Sequence, residues 1–161
     1  MSADPVPGAG PEGAGAPVMT AAEFRILRDQ LGVTTAWLAE QLGVAERTVR
    51  RWEAGTSEVP AAAAADLHAI AAATDEFVAA VVDELATAPP EDDGVRWVLA
   101  YASDAVYRAY HPDSPWSAGW HRAAMGRVAE QVTGVRIHYA GGGPGPAPAP
   151  AHDQAQGGLG S

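Results

Sequence analysis

The fold of the chain is decided by residues 35–55, whose sequence is TAWLAEQLGVAERTVRRWEAG. Apolar residues recur at helical spacing on both sides of Gly43, which indicates two short helices joined by a tight turn. Gly43 permits the positive φ that such a turn requires, and Ala39 is small where the two helices cross. Gly55 ends the second helix, which is predicted over about residues 46–54.

The second of these helices is predicted to have one apolar face and one charged face. The structural core of the motif is expected to comprise Leu38, Ala39, Gly43, Val44, Val49, Trp52 and Glu53. This arrangement leaves Glu46 and three arginines, Arg47, Arg50 and Arg51, facing outward. A helix of this kind fits the major groove of B-DNA, which is about 12 Å wide, and arginine is suited to guanine there.

The same residues carry a resemblance to a known family. The sequence from Leu38-Ala39 through Gly43-Val44 and Val49 to Arg51-Trp52-Glu53 and Gly55 resembles the lambda-repressor-like (Cro-type, XRE-like) helix-turn-helix family of DNA-binding regulators. In that family the two helices of the motif are the second and third of the domain, and many members end the third with Trp-Glu-x-Gly. The resemblance covers roughly residues 20–73, and the region 19–139 is also similar to short phage and actinobacterial regulators with a small C-terminal module.

The resemblance implies a set of DNA-binding residues in the second and third helices. Thr35 is expected to contact phosphate, Glu46, Arg47 and Arg50 to approach bases, and Thr48 and Arg51 to complete the interface. Two departures stand out. Thr35 occupies a position where many members have Gln, so a bidentate contact from there to adenine is not available. Ala45 replaces the usual Ser cap, a change that weakens a helix start by about 0.5–2 kcal/mol.

Outside this motif, the sequence predicts a mainly α protein (α+β overall) with an N-terminal helix-turn-helix bundle. A first helix is predicted over residues 21–30, and Arg28 on it is expected to pair with Glu53. A long connecting helix follows Pro60 and extends to Ala86, with a bend near Thr74 left open. Strands at 95–101 and 135–139 enclose helices at 104–110 and 118–132, and the two strands are expected to pair.

These elements predict five segments along the chain. They are a disordered tail at 1–18, a DNA-binding domain at 19–73, a connecting helix and acidic turn at 74–93, a dimerisation or ligand module at 94–139 and a second disordered tail at 140–161. Both tails are rich in Gly, Ala and Pro and lack hydrophobic periodicity.

The charge distribution bears on whether the chain can bind nucleic acid. The net charge of −10 argues against a generally basic nucleic-acid binder, but eight of the twenty acidic residues lie within 61–93, where there is no arginine. The predicted DNA-binding segment is nearly neutral. The chain has no cysteine, which excludes disulfides and thiolate metal sites. It also lacks a signal peptide and any run of eighteen apolar residues, so we expect a cytoplasmic protein without a membrane partner.

The C-terminal module contains a group of polar and aromatic residues that could suggest an enzyme. They are Tyr107, Tyr110, His111, Asp113, Ser114, Trp116, Trp120 and His121. The Ser, His and Asp lie within four residues, whereas a catalytic triad requires convergence in space, and the histidines lack short metal-ligand spacing. We therefore expect no enzymatic activity, no metal and no cofactor. The open alternatives for residues 94–139 are homodimerisation, an antitoxin-like protein partner, or a small ligand bound by Trp116 and Trp120.

Overall fold

The structure, a computed structural model, describes residues 18–89 and 94–141. Within these ranges lie α1 (Ala21–Gln30), α2 (Thr35–Leu42), α3 (Glu46–Glu53), α4 (Ala61–Thr87), β1 (Arg96–Ala100), α5 (Asp104–Tyr110), α6 (Ala118–Gln131) and β2 (Val135–Tyr139). The mainly helical prediction is confirmed. Most of the two predicted tails, 1–18 and 140–161, and the acidic turn at 91–93 lie outside the described residues.

The predicted bounds agree to the residue for α1, α5 and β2, and elsewhere differ by about one residue at an end. Helix α3 ends at Glu53 because Ala54 is already its C-cap, and α6 ends at Gln131 because Val132 adopts an extended backbone. The start of α1 is fixed by a capping box. The Glu23 carboxylate accepts from the Thr20 backbone at 2.7 Å, and the Thr20 hydroxyl accepts from the Glu23 backbone at 3.1 Å.

The core of the N-terminal helices is apolar and tightly packed. Phe24, Leu38, Val49 and Leu67 are fully buried, and the edge of the Phe24 ring meets the face of Trp52 with ring centroids 5.8 Å apart. Burial of side chains this large contributes about 1.5–3 kcal/mol each. These contacts join α1, α2, α3 and the first half of α4 into one unit.

Helix α4 connects this core to a second one. Its first half contributes Ala64 and Leu67 to the N-terminal core, whereas Val78 and Val81 in its second half pack with Val98 and residues of α6. The 27 residues form one uninterrupted helix, about 40 Å long. Within the described residues, no helix combines the length and apolar character needed to cross a membrane.

The predicted pairing of the two strands is present. The strands run parallel, with Val98 opposite Ile137 and Ala100 opposite Tyr139. Parallel strands require a crossover connection, which α5 and α6 provide. Helix α6 then covers one face of the sheet, where Val98 and Ala100 are buried.

The C-terminal module is docked directly on the N-terminal helices. At this junction the α1–α2 turn meets the start of α6, where a Cβ atom built on Gly32 would lie 2.5 Å from the backbone oxygen of Gly119. Trp120 of α6 is buried within the N-terminal core. The sequence did not predict this docking, which makes the two parts one packed body.

Candidate nucleic-acid interface

The position of α3 follows from the turn that precedes it. Gly43 caps α2 in the left-handed conformation with φ of 65°, and the backbone N–H of Val44 donates to the Ala39 carbonyl at 3.0 Å. Ala39 is buried at the helix crossing and Val49 is buried beneath α3. One face of α3 is thereby fixed to the core and the opposite face is presented to solvent.

The exposed face of α3 carries three arginines, Arg47, Arg50 and Arg51. Arg50 donates to Glu46 Oε1 from Nη2 at 2.7 Å and from Nε at 3.2 Å, and its side chain is 68% exposed. Across residues 18–89 and 94–141, the guanidinium groups of Arg47 and Arg51 have no hydrogen-bond acceptor or ion pair. These two cations are therefore available to an external anion or acceptor.

Glu46 joins the starts of α2 and α3. Its Oε1 atom accepts from the Thr35 hydroxyl at 2.7 Å as well as from Arg50. The Thr35 hydroxyl, and then Arg50, hold the pKa of Glu46 below its usual range. The resemblance assigned Thr35 to phosphate and Glu46 to bases, whereas the structure pairs them with each other. Glu46 is thus placed to orient Arg50.

The predicted pair between Arg28 and Glu53 is present, and it fixes the C-terminal end of α3. Arg28 Nη2 donates to Glu53 Oε2 at 3.1 Å, and Arg28 Nε donates to the other carboxylate oxygen. Arg28 Nη1 also donates to the Val33 carbonyl at 2.9 Å, which ties the α1–α2 turn to the same group. The hydrogen bonds that Arg28 donates to the Glu53 carboxylate raise the pKa of Arg28. Both side chains are almost fully buried, at 11% and 9% exposure.

The remaining residues of the predicted set have more limited exposure. Thr48 is half-buried on α3, and its backbone N–H donates to the Ala45 carbonyl at 2.8 Å. Ala45 is the N-cap of α3 and provides no side-chain acceptor, as its residue type predicts, whereas Thr34 caps α2 through a 3.1 Å hydrogen bond to Trp37. Helix α3 is consequently held by the side-chain bonds of Glu46 and Glu53 and by its buried face, and it has no side-chain N-cap.

Comparison with known families agrees with this geometry. Residues 21–85 match the model of a helix-turn-helix domain, a segment that includes α1, α2, α3 and nearly all of α4. Residues 21–85 therefore form a helix-turn-helix domain. A domain of this type indicates a DNA-binding regulator. No curated protein matches the chain.

The helix-turn-helix domain contacts the C-terminal module through a stack of three tryptophans. Trp37 of α2 stacks on Trp116 with centroids 5.7 Å apart, and Trp116 stacks on Trp120 at 4.2 Å. The indole N–H of Trp37 donates to the Pro115 carbonyl, and that of Trp120 donates to the Thr74 hydroxyl, both at 2.9 Å. The sequence did not predict this contact, because residues 78 positions apart leave no local pattern when they meet.

A groove of about 370 Å³ lies beside this stack, between α2 and the C-terminal module. It is lined by Trp37, Glu40, Gln41, Asp104, Arg108, Ser114, Pro115, Trp116 and Ser117. Trp116 therefore lines a cavity, as the ligand hypothesis expected, whereas Trp120 is buried behind it. The groove combines aromatic faces with charges of both signs.

The polar residues of the module form hydrogen bonds that differ from those of a catalytic triad. The Ser114 hydroxyl pairs with Tyr107 Oη at 3.0 Å, and His111 Nε2 pairs with Tyr101 Oη at 2.8 Å. Burial, and then the neighbouring tyrosines, raise the pKa of Tyr101 to about 12. His138 instead meets the ring of Trp97. Among the described residues no group of three potential ligands could hold a metal ion.

Proposed function

We propose that the protein is a transcriptional repressor that binds duplex DNA sequence-specifically through α3. The observation that carries the proposal is the pair of exposed arginines on α3, Arg47 and Arg51, which have no acceptor within the described residues. An arginine can donate two hydrogen bonds to guanine O6 and N7 in the major groove. The proposed contact residues are Thr35, Glu46, Arg47, Thr48, Arg50 and Arg51.

Within this set the roles differ according to the contacts already made. Arg47 lies in the first turn of α3, where such helices approach base edges, and Arg51 lies one turn further on, toward the phosphate backbone. Arg50 reaches the groove with its guanidinium oriented by Glu46. Thr35 supports Glu46 and lies at the first position of α2, close to where a phosphate would pass.

The charge distribution favours specific over non-specific binding. The chain is acidic overall, and the exposed acidic side chains of α4 repel phosphates away from the α3 surface. Few cations therefore remain for sequence-independent contact, and the salt dependence of binding should be shallow. Affinity must come from base contacts made by α3.

One such domain offers few base contacts, which supports a dimer that reads an inverted repeat. Two domains related by a twofold axis would contact half-sites about 34 Å apart and multiply their specificity. A bound dimer excludes RNA polymerase by occupancy, so repression, including autorepression, needs neither catalysis nor a cofactor. The site of action on this account is the cytoplasm, where the DNA lies.

The test is selection of bound sequences from a randomised duplex library at near-physiological salt. The proposal expects enrichment of an inverted repeat by the full chain. The same selection with the combined Arg47→Ala, Arg50→Ala and Arg51→Ala variant should enrich nothing, provided that its circular dichroism matches the wild type. Absence of enrichment by the folded wild-type protein would overturn the proposal.

The groove beside Trp37 supports a second candidate, a repressor whose DNA binding responds to a small ligand. Trp37 belongs to α2, and α2 also carries Thr35, so a ligand in the groove would contact the helix that supports Glu46. Amino acids and nucleotides can be screened by tryptophan fluorescence and by DNA affinity. A compound that changes the tryptophan fluorescence and the DNA affinity of the wild type, but changes neither quantity in Arg108→Ala, would support this candidate. If no compound does so, DNA binding is constitutive.

A further inference from the structure

The outer edge of β2 is a strand edge without a partner in the described parts of the chain. The sheet has two strands, and β2 is bonded to β1 on one side alone. Such a small parallel sheet is uncommon, because parallel sheets are generally covered on both faces and extended by further strands. An open edge presents backbone N–H and C=O groups that can pair with another strand.

The hydrogen bonds to β1 show which residues of β2 face this open edge. The Gly134 carbonyl accepts from Arg96 and the Ala140 N–H donates to Ala100, both at 2.9 Å, so even-numbered residues of β2 are bonded to β1. Backbone groups alternate in direction along a strand. The N–H and C=O groups of Val135, Ile137 and Tyr139 consequently point away from β1.

Two of these residues, Ile137 and Tyr139, have exposed apolar side chains, whereas Val135 packs against the core beneath α6. Ile137 and Tyr139 are 42% and 51% exposed, although they lie opposite Val98 and Ala100, which are buried at 4% and 3%. Helix α6 thus covers the inner face of β1 and packs against Val135 at the start of β2, but it leaves Ile137 and Tyr139 exposed. The strand contains no proline, and its charged residue, Arg136, lies on the face opposite Ile137 and Tyr139, so the edge beside these two residues is open to pairing.

We propose that β2 pairs antiparallel with β2 of a second copy of this chain, about a twofold axis at Ile137, to give a continuous four-stranded sheet. This inference rests on the proposed function, since an inverted repeat requires a twofold dimer, and it assigns the interface of that dimer. With the axis at Ile137, Val135 of each chain lies opposite Tyr139 of the other, and the two Ile137 residues lie opposite each other. Roughly six backbone hydrogen bonds then form between the chains.

The register is selected by charge as well as by hydrogen bonding. Centred on Ile137, the pairing places Arg136 opposite the partner's His138, and Val135 opposite the partner's Tyr139. Centred on Arg136, it would place two arginines face to face, which is destabilising. The Ile137 register also uses the full length of β2, which a shift toward either end would not.

The test uses the absence of cysteine from the natural sequence. In the proposed pairing the two Ile137 Cα atoms lie about 5.5 Å apart, within the range that a disulfide spans. The full-length Ile137→Cys variant should form a disulfide-linked dimer under mild oxidation. Ile26→Cys is the matched control, because Ile26 is a comparably exposed isoleucine on α1, at 56%, and it should remain unlinked.

A second variant measures the strength of the same interface. Ile137→Arg puts like charges at the axis and should weaken dimerisation roughly tenfold or more in sedimentation equilibrium, with circular dichroism unchanged. Ile26→Arg should dimerise like the wild type. A monomeric wild type, or equal cross-linking of the two cysteine variants, would overturn the proposed interface.

DNA binding separates failure of this inference from failure of the proposed function. If Ile137→Arg is monomeric yet still prefers the selected half-site, both proposals hold. If the wild type enriches an inverted repeat but Ile137→Arg dimerises as tightly as before, the interface is wrong and the DNA-binding function stands. If β2 forms the dimer and no sequence is enriched, the function is wrong and the interface stands.

Discussion

Glu46 shows how a single carboxylate oxygen can organise a binding surface. Three donors from two residues, Thr35 and Arg50, converge on its Oε1 atom. Since those donors favour the charged carboxylate and lower its pKa, the arrangement persists to pH values below the usual glutamate range. Arg50 is therefore held in place before any DNA is bound, whereas Arg47 and Arg51 are free to adjust.

The Arg28–Glu53 pair is expected to act on stability. Because Glu53 is almost fully buried, Glu53→Ala leaves Arg28 paired with the exposed Asp29 alone and should reduce the free energy of unfolding by about 1.5–3 kcal/mol. Chemical denaturation measures this directly. Glu58→Ala, at an exposed position, is the control and should change stability by about 0.5 kcal/mol or less. Equal effects of the two substitutions would contradict the structural role.

At the scale of elements, the junction between α6 and the α1–α2 turn determines how the module is docked. Gly119 lies against the backbone carbonyl of Gly32, and no side chain fits between them. The tryptophan stack continues the same contact along α2. The orientation of the module relative to α2 thus depends on two glycines and an aromatic stack.

Gly119→Ala should disrupt this junction. The added methyl group collides with the Gly32 backbone, which cannot rotate away, so we expect a loss of stability of about 1–3 kcal/mol and a change in tryptophan fluorescence. Gly126→Ala in the same helix is a matched control, since its Cβ would meet no atom within 4 Å and should be neutral or stabilising. A Gly119→Ala variant as stable as Gly126→Ala would show that the two segments are not in close contact.

The sequence was informative wherever function and fold depend on local spacing. The turn at Gly43, the exposed arginines of α3 and the bounds of α1, α5 and β2 all follow from periodicity or capping residues. The pair formed by Arg28 and Glu53 was also predicted. By contrast, the bond from Trp37 to Pro115 joins residues far apart in the chain, and periodicity within an element carries no information about such packing.

On the scale of the whole molecule, two buried tyrosines of the module, Tyr101 and Tyr107, link stability to alkaline pH, because burial raises the pKa of both. Tyr101 has its pKa raised to about 12, chiefly by burial, from the ordinary value of 10.0. A raised pKa of an acid means that the folded state favours its neutral form, so this contribution is complete below pH 10 and is lost as pH rises toward 12.

We therefore expect the free energy of unfolding to fall by on the order of 2 kcal/mol between these pH values, as measured by denaturation at each pH. Tyr101→Phe should reduce this decrease and leave the contribution of Tyr107, whose pKa is also raised by burial. Tyr139→Phe, at an exposed position on β2, should retain the full decrease. A decrease that is the same in Tyr101→Phe as in the wild type would assign the alkaline sensitivity to another group.

In the molecule as a whole, the acidic helix, the exposed arginines and the open strand edge belong to three different elements. Helix α4 carries five acidic residues and no arginine, the exposed arginines Arg47 and Arg51 lie on α3, and the open strand edge lies on β2. On the proposed account, one chain contacts DNA through α3 and a second copy through β2. The central claim is that α3 distinguishes bases, and it depends most directly on Arg47.

The decisive measurement is the affinity of the wild type, Arg47→Ala and Arg25→Ala for the selected duplex and for its single-base variants. The account predicts that Arg47→Ala loses discrimination at one position of each half-site and about 1–3 kcal/mol of binding free energy there. Arg25→Ala, an exposed arginine on α1, should discriminate as the wild type does. If Arg47→Ala discriminates like the wild type at every position, α3 does not read DNA through Arg47 and the central claim is contradicted.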